Sequence, residues 1–145
     1  MGTDIGPAIA GNSRIAALYE RDRTCQELGI TLDEVSTGRA RMGMRITAAM
    51  VNGHGIAHGG YLFLLADAAF SYACNSYGPV TVAQGAQVTF LAPAAVGDDL
   101  VAEAVERTRS GRQGIYDVSV RRTTGQVVAE FRGQSVTLAG KPHAD

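Results

Sequence analysis

The sequence predicts an α+β chain in which one antiparallel sheet curls around a central helix. Three observations carry that prediction. Residues 61–74 contain neither Pro nor Gly and are apolar on nearly every side, as a helix buried all round must be. Elsewhere, apolar and polar residues alternate in runs separated by glycine-bearing turns, the pattern of half-buried antiparallel strands. The runs come in the order helix, two strands, buried helix, four strands. An apolar helix followed by such a meander is best covered when the sheet wraps it.

The elements follow in order. Residues 1–13 are rich in Gly and Ala and are expected to be loose, with one domain over 14–139 and a frayed polar tail over 140–145. Asn12 or Ser13 stands where a cap is needed for a helix over 14–28. Ile15, Leu18 and Tyr19 share one face of it, Cys25 and Leu28 point inward, and Gly29 ends it. Segments 30–35 and 39–46 form a hairpin about Ser36-Thr37-Gly38, with Ala40, Met42, Met44 and Ile46 on one face of the second strand. A loop over 47–55 carries Asn52 into a Gly-rich segment, and the buried helix ends near Asn75-Ser76. Strands are then expected over 80–91, stopped by Pro93, and over 100–107, 115–122 and 127–138. In the third of these, Tyr116, Val118 and Val120 point inward.

Composition narrows the class of function. At 145 residues the chain makes one domain with a core of its own. A net charge of −1 argues against a general nucleic-acid binder. The two cysteines, Cys25 and Cys74, have no zinc spacing and form no disulfide framework, which fits a reducing cytosol. No basic n-region precedes an apolar run at the start, Gly6 stands where myristoylation needs Ser or Thr, and no stretch has the ~20 uncharged apolar residues of a membrane span. His54 and His58 have no carboxylate or thiol beside them, so no metal site is expected.

The chemistry concentrates in residues 51–76. Asp67 interrupts the apolar helix, and a carboxylate there costs free energy unless something pairs with it or uses it. It is either a solvated Asp on a partly exposed face or a catalytic carboxylate facing a cleft. His58-Gly59-Gly60 falls where the helix begins. First-turn N–H groups have no intrahelical acceptor, the helix dipole adds partial positive charge, and a missing side chain lets a ligand approach. The segment is thus a candidate oxyanion hole for acyl transfer. Asp67 lies eight residues beyond Gly59, roughly 12 Å along the axis at about 1.5 Å per residue. The two cannot bracket one carbonyl carbon within one helix. A second, antiparallel copy brings one chain's Gly59 to the other's Asp67, which points to a two-fold dimer with composite sites.

Asn52 and the stretch HGIAHGGYLFLLADAAFSYACNS resemble the hotdog-fold acyl-CoA thioesterases, and more narrowly the PaaI-type phenylacetyl-CoA thioesterases. The pattern is Asn-Gly, four residues, His-Gly-Gly, then an apolar helix with Ala-Asp and Ala-Phe-x-Tyr-Ala-x-Asn-Ser. The resemblance implies a hotdog fold, a six-stranded antiparallel sheet around one central helix, paired into homodimers and usually homotetramers. It also implies hydrolysis of an aryl-acyl-CoA thioester, phenylacetyl-CoA or a hydroxylated relative, in cytoplasmic phenylacetate degradation. No cofactor is implied beyond the coenzyme A of the substrate. By the same resemblance Asp67 attacks the thioester or activates water, Gly59 polarises the carbonyl, Asn52 holds water or substrate, and His58 precedes that glycine. Some relatives carry Ser or Thr on the strand after the helix; Ala83 stands there, so no hydroxyl-assisted water is expected.

Substrate contacts are expected from Gly60 and Tyr61 near the site and, as the resemblance implies, from the turn Ser110-Gly111-Arg112, whose guanidinium suits the phosphates of coenzyme A. Two alternatives stay open. One is a non-enzymatic acyl-CoA sensor. The other is an enoyl-CoA hydratase, which pairs its Asp with a following His that this chain lacks.

Overall fold

The computed structural model describes residue 9 and residues 11–142. Two short helices, α1 (Ser13–Glu20) and α2 (Arg23–Leu28), lead into the hairpin β1 (Thr31–Ser36) and β2 (Arg39–Arg45). A 3-10 turn at Ala48–Met50 precedes the long helix α3 (Gly59–Cys74). Then come β3 (Pro79–Phe90), β4 (Asp99–Ser110), β5 (Gln113–Arg122) and β6 (Val127–Pro142). The strands form one six-stranded sheet in the order β1-β2-β4-β5-β6-β3 with every neighbouring pair antiparallel. This is the hotdog fold, with α3 packed across the sheet and most heavily at β2, β4 and β5.

The sheet's inner face carries the expected residues. Ala40, Met42 and Met44 of β2, Leu100, Ala102 and Ala104 of β4, and Tyr116, Val118 and Val120 of β5 are all buried. Against them α3 lays Leu65, Ala66, Ala69, Phe70 and Ala73, which are also buried. Phe63, Phe70, Phe131 and Tyr116 join in a chain of tilted and edge-on ring contacts at 5.3–5.8 Å between centroids. Both cysteines are unpaired and buried.

Several expectations are corrected. The helix expected over 14–28 is two helices, because Asp22 caps the second: its Oδ1 accepts from the Cys25 N–H at 3.1 Å and its Oδ2 from the Tyr72 hydroxyl at 3.0 Å. The Asn12 side chain caps α1, and Gly29 closes α2 in the left-handed region at φ 70°. Strand β6 runs to Pro142, past the expected stop at 138; residues 143–145 lie outside the described residues. Of the segment expected to be loose, residues 1–8 and 10 also lie outside, while Ile9 is buried and its carbonyl accepts from the Asn12 N–H.

Helix α3 is not buried all round within one chain. Gly60 is exposed, and Leu64, Asp67 and Ser71 are half-buried. Spaced at i, i+4, i+7 and i+11, they make one stripe along the helix.

Candidate active site

The two ends of α3 differ. At the C-terminal end the Asn75 and Ser76 side chains are tied down. The Asn75 carboxamide donates to the Ser71 and Thr81 carbonyls and accepts from the Thr81 N–H, all at 2.8–2.9 Å. Arg14 donates to the carbonyls of Asn75 and Ser76. At the N-terminal end the capping residue is His58, whose side chain makes no capping hydrogen bond. Of the first-turn N–H groups, that of Tyr61 donates back to the His58 carbonyl, while those of Gly59 and Gly60 have no recorded acceptor among the described residues, and the dipole of a four-turn helix points its positive end at the same spot.

Asn52 and Gly59 meet there, lining one pocket of about 450 Å³ with Ile56, Leu62, Phe90 and Pro93. That volume lies in the range of small-molecule sites. The Asn52 side-chain oxygen accepts from the His54 N–H at 2.9 Å and the Ile56 N–H at 3.3 Å, and its backbone N–H donates to Ile56. The loop therefore fixes the carboxamide oxygen. Among the described residues its amide nitrogen has no recorded partner and is available to a ligand. Gly59 has no positive φ. Its lack of a side chain is required instead by the Phe90 ring, whose Cζ would stand 2.6 Å from a Cβ placed there. Gly60, by contrast, faces open space.

Asp67 does not line this pocket. It sits on the half-exposed stripe, and among the described residues its carboxylate has no recorded hydrogen bond or ion pair. Burial pushes its carboxyl above the ordinary carboxylate range. Asp117 behaves oppositely: Arg132 holds it below that range by a charge-assisted hydrogen bond.

The remaining expected residues are dispersed. His58 is exposed; its backbone N–H donates to Met50 and its carbonyl accepts from Tyr61. Tyr61 is half-buried against the core. Gly111 and Arg112 line a small cavity of about 90 Å³ at the far end of α3, beside Cys74, Tyr77 and Arg109. Ser110 opens onto a different surface, with Gln84 and Gln113. One chain thus separates the Gly59 pocket from both Asp67 and Arg112. Among the described residues no three His, Cys, Asp or Glu side chains are grouped to hold a metal ion.

Phe90 is absent from the sequence-derived set. The doublet Phe90-Leu91 just ahead of Pro93 breaks the strand alternation, and that is the only trace it leaves in the sequence.

The sequence pattern described as the thioesterase superfamily matches residues 54–129. The acyl-coenzyme A thioesterase PaaI of Escherichia coli strain K12 is 43% identical over 124 residues, covering 86% of this chain and 89% of that protein. The solved structure of the E. coli PaaI protein from the phenylacetic acid degradation operon superposes with a TM-score of 0.88 at 40% identity, over 92% of this chain and 97% of that one. A crystal structure of a protein from Thermus thermophilus gives 0.78 at 36% identity, over 81% and 99%.

Proposed function

The chain belongs to the thioesterase superfamily, and from that premise we propose that it hydrolyses aryl-acyl esters of coenzyme A, phenylacetyl-CoA or a ring-hydroxylated phenylacetyl-CoA foremost. That it is a thioester hydrolase of the PaaI type follows from the same membership, and it favours catalysis over the sensor reading. The choice of acyl group is supported by the name of the E. coli relative and by the apolar lining of the Gly59 pocket.

The observation that carries the mechanism is the pairing of Asn52 and Gly59 in one pocket without Asp67. In our reading the thioester carbonyl oxygen accepts from the Gly59 N–H, with the Asn52 amide as a second donor. The carboxylate comes from a second copy of the chain. Asp67 of that copy attacks the carbonyl carbon, or takes a proton from a water that does. The C–S bond breaks, coenzyme A leaves as the thiol, and water supplies the oxygen of the free acid. No cofactor enters beyond the coenzyme A of the substrate.

Two features support the dimer. Strand β3 is an outer strand of the sheet, with most of its residues exposed along twelve positions. The stripe bearing Asp67 is the one flank of α3 that its own sheet leaves uncovered. Antiparallel packing of two such flanks also carries Arg112 of one chain toward the Gly59 pocket of the other, on the side where the coenzyme's phosphates would extend. A homotetramer built from two such dimers and a cytosolic setting complete the reading. The buried, unpaired cysteines support that setting. Among the described residues no helix is long and apolar enough to cross a membrane.

Thiol release from phenylacetyl-, hydroxyphenylacetyl-, benzoyl- and hexanoyl-CoA tests the proposal. Asp67→Asn is expected to lower kcat by about 10²–10⁴-fold on every ester that the wild type cleaves. Near-normal turnover in that variant would remove Asp67 from the mechanism. The ionised carboxylate is the working form, and burial raises its pKa. The acid limb of the rate profile should therefore lie above the ordinary carboxylate value of about 3.9. The stability sign follows by linkage. Between the unfolded and folded pKa the native state binds more protons, so stability falls as pH rises through that window. At neutral pH Asp67→Asn should therefore be at least as stable as the wild type. An acid limb at the ordinary value, or a destabilised variant, contradicts this placement of Asp67.

A further inference from the structure

Phe90 is the one phenylalanine whose placement the core does not explain. Phe70 and Phe131 are buried, and Phe63 leans edge-on against Phe131. Among the described residues each of these three pairs with another ring, and Phe90 pairs with none. It ends β3 with 51% of its surface exposed. Such exposure forgoes much of the free energy a phenyl ring gains by burial. Yet its position is closely defined, because the ring end lies directly on Gly59, at the uncapped start of α3. It forms a wall of the pocket that holds Asn52 and Gly59.

We propose that Phe90 is the residue that selects the acyl group, presenting its ring to an aromatic ring attached one carbon from the thioester carbonyl. The inference rests on the thioesterase reading and deepens it. A carbonyl oxygen on the Gly59 N–H has its carbon beside the Phe90 ring, since that ring touches the same glycine. The acyl substituent then runs along the apolar lining of Ile56, Leu62 and Pro93, where Phe90 is the only aromatic side chain among the described residues. Offset or edge-on ring contacts add to the value of buried area, and an aliphatic chain gains only the area. The preference should therefore reside in this one side chain and not in the pocket's size. Gly59 serves two purposes in this arrangement. Its N–H addresses the carbonyl, and its missing Cβ lets the selecting ring sit within reach of it.

The test is the ratio of kcat/KM for phenylacetyl-CoA over hexanoyl-CoA in wild type, Phe90→Leu and Phe90→Tyr. Phe90→Leu keeps apolar bulk and should lower the ratio about three- to tenfold, the size of a ring–ring contact. Phe90→Tyr keeps the ring and should hold the wild-type ratio. An unchanged ratio in Phe90→Leu, while Asp67→Asn still abolishes turnover, overturns this inference and leaves the thioesterase standing. An equal fall on both esters also overturns it, since the ring would then be only a prop for the helix start. So would a change in sedimentation of Phe90→Leu with no change in ratio, which would make the ring an interface residue. Absence of thiol release by the wild type from any ester overturns the functional reading and this one with it.

Discussion

Two glycines of this chain each lie under a phenylalanine ring, and only one of the pairs is buried. A Cβ on Gly133 of β6 would stand 2.8 Å from the ring atoms of Phe70; one on Gly59 would stand 2.6 Å from Phe90. The contacts are equally close. Phe70, however, is 1% exposed and Phe90 is 51% exposed. Phe70 also has Phe131 and Tyr116 as ring neighbours, at 5.8 and 5.6 Å. The first pair lets α3 sit down on the sheet. The second does little for the core and instead shapes a pocket at a helix end where the Gly59 and Gly60 N–H groups have no recorded acceptor among the described residues. Proximity alone does not separate packing from recognition; burial and the number of neighbouring rings do.

That contrast can be broken by mutation. Phe70→Ala removes a fully buried ring and should cost about 3–5 kcal/mol. Phe90→Ala removes a half-solvated one and should cost about 1 kcal/mol or less, by the smaller apolar area involved. Denaturant midpoints of the two variants decide it, and equal losses would mean that Phe90 is a core residue after all. The glycines sharpen the same comparison on a smaller scale. Gly133→Ala overpacks the interior and should lose about 1–3 kcal/mol. Gly59→Ala pushes against a half-exposed ring with solvent on its outer side, so it should cost less stability than Gly133→Ala while slowing hydrolysis. Gly60→Ala meets no atom within 4 Å and should gain up to about 1 kcal/mol from helix propensity. Thermal melts beside thiol-release rates check all three, and the reading fails if Gly59→Ala unfolds the protein as Gly133→Ala does.

Much of this architecture is legible in the sequence, because it is periodic. The alternation Ala40, Met42, Met44 and the alternation Tyr116, Val118, Val120 named inward faces that are indeed buried. The apolar run free of Pro and Gly located α3, and the glycines before it located its start at Gly59. What escaped is set by tertiary contact. The break at Asp22 depends on a hydroxyl from Tyr72, fifty residues away. Strands β4 and β5 run further toward their turn than expected because the register slips between Glu106 and Thr108, which spoils the period-two pattern there. The uncovered flank of α3 is invisible to composition, since a half-buried Leu64 reads the same as a core leucine. Within the site, Asn52 and Gly59 are close in the chain and so could be paired by reading, whereas Phe90 arrives from the end of a strand. Arg112 was placed by its chemistry together with the family resemblance, and in the single chain it stands at the opposite end of α3.

The buried cysteines have a practical consequence for labelling chemistry. Burial pushes the Cys74 thiol up to about 12, and the Cys25 thiol rises further still, with the Asp22 carboxylate adding to it. Thiol reagents attack the thiolate, and at neutral pH almost none is present at either position. A disulfide dye that reports coenzyme A release will therefore register product against a silent native protein. In denaturant the same dye should titrate both cysteines, so one reagent reads turnover in the folded chain and the extent of unfolding outside it.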